Sequence, residues 1–144
     1  MLEAITAMAS VIGDPYLLML IAVTTVLGIV IGVLPGLGAT TGAALLLPFT
    51  LTMSPVNAIA VLATLYVSAT FAGSITAILI NTPGPSAAAA TTFDGFPLAQ
   101  RGEAGRALGI AVVSSTIGGI FSIIVLCLAA PLLARVAYEF RPPE

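Results

Sequence analysis

The sequence predicts an all-α protein, a polytopic transmembrane helix bundle with broken or re-entrant helices. Of its 144 residues, 59% are hydrophobic and 7% are charged, whereas soluble domains carry about 25% charged residues. No charged side chain occurs between Pro15 and Phe93 or between Ala107 and Ala134. Since a membrane-spanning helix needs about 20 apolar residues, these stretches have membrane lengths.

The positions of the charges divide the chain into segments of one transmembrane domain. The first segment contains apolar residues at helical spacing, which is typical of a helix lying at the membrane interface. A frayed terminus explains the same residues equally well. The predicted segments are an interfacial segment at 1–14, spans with two Gly/Pro breaks at 15–93, a polar loop at 94–106, the last span at 107–133 and a tail at 134–144.

Three stretches are predicted to cross the membrane as full helices. They are residues 15–34, 54–73 and 107–133. In the second, Ser54 is placed to cap the helix and Pro55 falls in its first turn. The apolar pieces at 39–53 and 74–85 are each short for a crossing, so we expect broken helices there. For residues 39–53, a full span that continues through the next turn is the alternative.

Two clusters of glycine and proline interrupt the apolar sequence, "LPGLG" at Leu34–Gly38 and "NTPGP" at Asn81–Pro85. An unpaired backbone group costs several kcal/mol in hydrocarbon, so irregular backbone at membrane depth is found only inside protein or beside water. Such interruptions are typical of a transporter's binding site. A tight turn outside the membrane is the alternative interpretation of the first break.

The helix ends at the two breaks suggest which ions they could hold. A helix that starts after Gly38 presents free N–H groups, which suit a carboxylate. A helix that ends near Asn81 presents carbonyl groups, which suit Na⁺. We therefore consider a sodium position near Thr40, Ser74 and Asn81. The lack of an acidic residue within the spans favours Na⁺ over H⁺ as the coupling cation.

Composition argues against an enzyme and against a nucleic-acid partner. The chain has no histidine, one cysteine (Cys127) and no lysine, so Ser/His, Cys/His and Ser/Lys pairs are unavailable. We expect no catalytic residue, no bound cofactor apart from a coupling cation, and a packing role for Cys127. The net charge of −2 leaves no basic patch for phosphates.

Three passages resemble the large membrane subunit of the tripartite tricarboxylate transporters: "GIVIGVLPGLGATTGAALLLPFT", "FAGSITAILINTPGPSAAAATTFDGFPLAQRGEAGRALG" and "SSTIGG". The resemblance implies a multi-pass protein of the bacterial inner membrane that takes up carboxylates such as citrate. It also implies a cation gradient, a periplasmic solute-binding protein that delivers substrate and a small membrane subunit. The family has two halves in opposite orientation, so this chain would be the amino-terminal half of an inverted-repeat transporter.

The resemblance also implies which residues line the substrate path. By resemblance, residues of the first break lie near the substrate path, and residues around the second break lie there as well. The residues are Pro35, Gly36, Gly38, Thr40, Thr41, Gly73, Ser74, Asn81, Thr82, Pro83 and Gly84.

A second hypothesis is a non-transporting helical packing or assembly module of a membrane complex. Two rows of small residues support it, because such rows let transmembrane helices approach closely. The rows are Gly28, Gly32 and Gly36, and Ala111, Ser115, Gly118 and Ser122.

Overall fold

A computed structural model describes residues 13–139, with the side chains of residue 132 and of residues 134–139 left out. Most of the predicted interfacial segment and the end of the tail lie outside this range. The elements are α1 (Pro15–Val33), α2 (Ala39–Thr50), α3 (Pro55–Ile80), a 3-10 turn (Ser86–Ala88), α4 (Ala89–Leu98), a π-helical turn (Ala99–Glu103) and α5 (Ala104–Glu139). The described residues form helices and no strand, which confirms the all-α prediction.

Three helical stretches are long and apolar enough to cross a membrane: Pro15–Val33, Pro55–Ile80 and Ser86–Pro131. The first two begin as their sequences predict. The Asp14 carboxylate accepts a hydrogen bond from the backbone N–H of Tyr16 at 2.9 Å. At the start of α3, the Ser54 hydroxyl accepts one from the N–H of Asn57 at 3.4 Å. Both caps satisfy first-turn donors that have no partner within the helix.

The prediction that residues 74–85 form a separate broken helix is wrong. Residues 74–80 continue α3, which is 26 residues long and ends at Ile80. The Thr76 hydroxyl donates to the carbonyl of Gly73 at 3.1 Å, so this polar side chain bonds its own helix. The helix stops because Asn81 takes the left-handed conformation, with φ of 57°, and Pro83 follows.

The predicted polar loop at 94–106 is also wrong as a loop. Residues 94–103 lie in α4 and the π-helical turn, and the one non-helical residue inside that turn is Gly102, with φ of 82°. Packing explains the helix, because Gly95 lies against Ile78 of α3 and a Cβ at residue 95 would be only 2.7 Å from the Ile78 Cγ1. The predicted last span at 107–133 lies within the longer helix α5.

The described residues divide into two compact units, with the boundary between Leu108 and Gly109. The described part of the second unit is the rest of α5, and its apolar side chains are exposed, Phe121 and Leu128 among them. Cys127, which we expected to pack, is exposed as well. Exposed apolar side chains on a membrane-length helix suit contact with lipid or with other apolar helices.

The first unit is built on a close contact between α1 and α3. Gly28 lies against Ser68 and Gly32 against the backbone of Ala69. Because the order of these contacts rises along both helices, α1 and α3 run in the same direction. The connecting helix α2 packs against both, because Gly42 near its start lies close to Ile31 of α1 and Leu65 of α3.

Candidate functional site

Helices α1 and α3 run side by side, but α1 ends well before α3 does. The first break follows the end of α1. Gly32, next to the last residue of α1, lies beside Ala69. From there α3 continues to Ile80, a distance of about 16 Å at a rise of 1.5 Å per residue. The chain therefore leaves α1 beside the middle of α3 and not beside its end.

The first break is a short turn followed by an uncapped helix start. The N–H of Leu37 donates to the carbonyl of Leu34 at 3.1 Å, and Gly36 between them has φ of 86°. Gly38 then takes the N-cap position of α2 without any side-chain cap. The first backbone bond of the new helix runs from the N–H of Gly42 to the carbonyl of Gly38 at 3.0 Å. The earlier N–H groups of α2 have no partner within the helix.

At the second break the chain turns back along α3. The backbone N–H groups of Asn81 and Thr82 both donate to the carbonyl of Thr76, the latter at 3.3 Å. Four residues further on, Pro85 lies against Gly73, about two turns before the end of α3. Ser86 then begins the 3-10 turn that leads into α4, again without a side-chain cap.

The two breaks meet around one cavity of about 280 Å³. One wall is the start of α2, a second is the start of the helix that follows Pro85, and a third is the side of α3. Gly84 lies near the carbonyl of Leu37, since a Cβ at residue 84 would be 3.7 Å from that oxygen. The lining residues are Gly38, Ala39, Thr40, Tyr66, Thr70, Gly84, Pro85, Ser86 and Ala87.

The cavity lies beside the middle of α3. Tyr66 and Thr70, which line it, fall near the centre of the 26-residue helix, whose length is about 39 Å. A bilayer's hydrocarbon core is about 30 Å thick. If α3 crosses the membrane along its length, the first break and Pro85 lie at membrane depth, because Gly32 and Pro85 contact α3 at Ala69 and Gly73. This placement favours broken helices over the alternative of a turn outside the membrane.

The structure brings some of the sequence-predicted residues to this cavity and leaves others away from it. Gly38, Thr40 and Gly84 line it, and Gly73 lies directly behind Pro85. The predicted residues that do not line it are Pro35, Gly36, Thr41, Ser74, Asn81, Thr82 and Pro83.

Sequence reasoning missed several lining residues. Tyr66 and Thr70 lie four residues apart on one face of α3, and Ser74 continues that spacing. This recurrence was an available signal. The other missed residues are Ala39, Pro85, Ser86 and Ala87. Pro85 and those after it could not be predicted, because they reach the cavity only through the reversal at Asn81–Gly84.

The electrostatics of the cavity suit an anion. Residues at both helix starts line it, so the partial positive charge of each start lies beside it, and Thr40 and Ser86 add hydroxyl groups. No lining residue is charged. Three prolines within the breaks, Pro35, Pro83 and Pro85, have no backbone N–H, which reduces the number of donors that need a partner.

Of the three residues considered for sodium, one lines this cavity. Thr40 lines the cavity, but Ser74 and Asn81 do not. The end of α3 is also partly capped. The Thr76 carbonyl accepts two backbone N–H groups, and the Ile80 carbonyl accepts the hydroxyl of Thr82 at 3.2 Å. Two helix N-termini border the cavity, whereas the sequence predicts one N-terminus and one C-terminus.

Comparison with known proteins adds a family to this geometry. The tripartite tricarboxylate transporter TctA family matches residues 18–144. An uncharacterized 52.8 kDa protein from the TAR-I ttuC' 3' region of Agrobacterium vitis is 47% identical over 122 residues, which is 85% of this chain. The matched part is 24% of that relative's length, so the chain spans about a quarter of it. No solved structure matches the chain.

Proposed function

Because the chain belongs to the tripartite tricarboxylate transporter TctA family, we propose that it forms part of the membrane subunit that carries carboxylates across the bilayer. The cavity between the two breaks is then part of the substrate path. The family and the apolar helices make it a multi-pass membrane protein. We also propose that the transported molecules are carboxylates and that the membrane is the bacterial inner membrane.

One observation carries the proposal: two uncapped helix starts meet beside the middle of a membrane-length helix. A partly buried anion at one helix start gains about 0.3–2 kcal/mol. The volume, about 280 Å³, is close to the lower end of small-molecule sites, about 300 Å³. A tricarboxylate would gain from both starts without a buried lysine or arginine, and its release would not require breaking an ion pair.

The proposed function also includes coupling to a cation gradient and two partner proteins. A tripartite family supports delivery of substrate by a periplasmic solute-binding protein and assembly with a small membrane subunit. The sequence has no GK[ST] phosphate-binding loop, which supports coupling to a cation gradient. The cavity lining contains no acidic side chain, and this favours Na⁺ over H⁺ because proton relays use ionisable groups.

The assembly-module alternative loses part of its support. The row at Gly28 and Gly32 contacts Ser68 and Ala69 within this chain, so it no longer indicates an external partner. Gly36 lies beyond α1 in the turn. The row on α5 remains a prediction. A transporter family also favours transport over a purely structural role and over catalysis.

The test uses single cysteines in a Cys127→Ser background of the assembled transporter. Thr40→Cys and Ser86→Cys place thiols in the cavity, and Thr52→Cys places one in the turn after α2. We expect citrate to slow labelling by a water-soluble maleimide at residues 40 and 86 and to leave residue 52 unchanged. Equal labelling with and without citrate at both cavity positions would contradict the assignment.

Coupling is tested by the uptake of radiolabelled citrate into vesicles with the binding protein supplied outside. An imposed Na⁺ gradient should drive accumulation at constant pH. Accumulation driven only by a pH gradient would refute sodium coupling while leaving the cavity assignment in place.

A further inference from the structure

The wall of the cavity formed by the second break is held by contacts between glycines of three elements. Gly84 lies close to Gly32 of α1 and Gly73 of α3. A Cβ at residue 84 would be 3.4 Å from the Gly32 carbonyl oxygen and 3.6 Å from the Gly73 Cα. The second break therefore rests on the α1–α3 contact at the point where neither helix has a side chain.

The contact between Gly73 and Pro85 is tighter. A Cβ at residue 73 would overlap the Cδ of Pro85 and lie 2.9 Å from its Cγ. Gly73 is buried in α3, while Pro85 lines the cavity. The proline ring thus occupies the space that any other residue at position 73 would fill. Ser86 and Ala87, which also line the cavity, follow Pro85 directly.

We propose that Gly73 and Pro85 are a positioning pair that sets where the second break stands in the cavity, and that Gly73 itself does not contact substrate. This assignment differs from the resemblance, which implies Gly73 as a residue of the substrate path. The positioning pair rests on the proposed function only in the uptake measurement, which assumes that the protein transports citrate. The contact itself is a property of the fold and can be measured without substrate.

A double-mutant cycle tests the pair. Gly73→Ala adds a methyl group where the ring lies, so it should displace Pro85 and raise the citrate concentration for half-maximal uptake about tenfold. Pro85→Ala removes Cγ and Cδ, and Ala can keep the extended backbone of φ −80° and ψ 154° found there. In the double variant the two alanines should fit, and the half-maximal concentration should return to that of Pro85→Ala alone.

A second measurement reports the position of the wall directly. Ser86→Cys in the Cys127→Ser background should change its maleimide labelling rate in Gly73→Ala and regain it when Pro85→Ala is added. Gly105→Ala is the matched control, because a Cβ there would meet no described atom within 4 Å. It should leave both the uptake and the labelling rate unchanged.

The outcomes separate the two hypotheses. If Gly73→Ala is as impaired with Pro85→Ala as without it, in uptake and in labelling, the positioning pair is refuted. If the unmodified transporter takes up no citrate but the labelling cycle shows rescue, the proposed function fails and the positioning pair stands. If Gly73→Ala does not accumulate in the membrane, restored accumulation in the double variant supports the pair, and failure to restore it refutes the pair.

Discussion

The two breaks use glycine for opposite reasons. At the first, Gly36 has φ of 86° and a Cβ added there would meet no described atom within 4 Å. At the second, Pro85 packs against Gly73 of α3, which has ordinary helical geometry and whose missing side chain leaves room for the proline ring. The first break needs glycine for backbone conformation, and the second needs it for space.

This difference determines how each break can be repaired. A strained backbone conformation stays strained whatever the neighbours are, whereas a steric overlap disappears when the neighbour is made smaller. Substitutions at the first break should therefore be independent of other positions, and those at the second should be coupled to the residues they touch.

Gly32→Ala should have the largest effect on stability. A Cβ there would lie 2.7 Å from the Cα and 2.8 Å from the carbonyl carbon of Ala69, and backbone atoms cannot rotate away. Because the second break rests on this contact, we expect a loss of about 1–3 kcal/mol in the free energy of unfolding. Thermal unfolding in detergent measures it, with Gly105→Ala as the control. Equal midpoints for the two variants would mean that α1 and α3 are not in close contact.

Gly36→Ala should come next, with a cost of about 1–2 kcal/mol for a left-handed backbone at an L-residue. Gly36→Asn should cost less, because asparagine tolerates that region better. The same unfolding measurement ranks the three residues as glycine, then asparagine, then alanine. An equal loss for asparagine and alanine would indicate that space and not φ restricts this position.

Thr40→Ala should affect transport more than stability. Its side chain is exposed and lines the cavity, so its removal should cost one hydrogen bond to the ligand, about 0.5–1.5 kcal/mol, or roughly two- to tenfold in half-maximal citrate concentration. Thr52→Ala is the control, since the hydroxyl of Thr52 donates to Phe49 at 3.0 Å in the turn after α2. Equal uptake by both variants would remove Thr40 from the site.

Gly84→Ala should have the smallest effect on unfolding, within about 0.5 kcal/mol. Its Cβ would make ordinary contacts of 3.4–3.7 Å. Residue 84 has room for a methyl group, whereas residue 73 has none because Pro85 occupies that space, so Gly84→Ala and Gly73→Ala should differ in stability. A loss as large as that of Gly32→Ala would show that the second break is packed more tightly than these distances indicate.

The sequence predicts the local features of the fold well. Ser54–Pro55 identifies the start of α3, because caps and proline act over a few residues, and the helix expected after Gly38 is present as α2. The division between a span ending at residue 73 and a separate short piece at 74–85 is wrong, because α3 runs without interruption to Ile80. The hydroxyl of Thr76 in fact bonds its own helix and leaves α3 continuous.

The meeting of the two breaks was beyond local reasoning. It depends on the return of the chain at Asn81 and on the fit of Pro85 against Gly73, two residues twelve positions apart. The helical form of 94–98 likewise depends on packing against Ile78. Long-range packing of this kind overrides the local preferences of polar, glycine and proline residues.

Both breaks border one cavity, which we propose accepts a carboxylate. The most direct test is a Thr40→Cys/Ser86→Cys variant in the Cys127→Ser background of the assembled transporter, treated with a short bifunctional thiol reagent. We predict efficient cross-linking within one chain, slowed by citrate and unaffected by an uncharged solute of similar size. Two thiols that label separately and never cross-link, with or without citrate, would contradict the shared cavity.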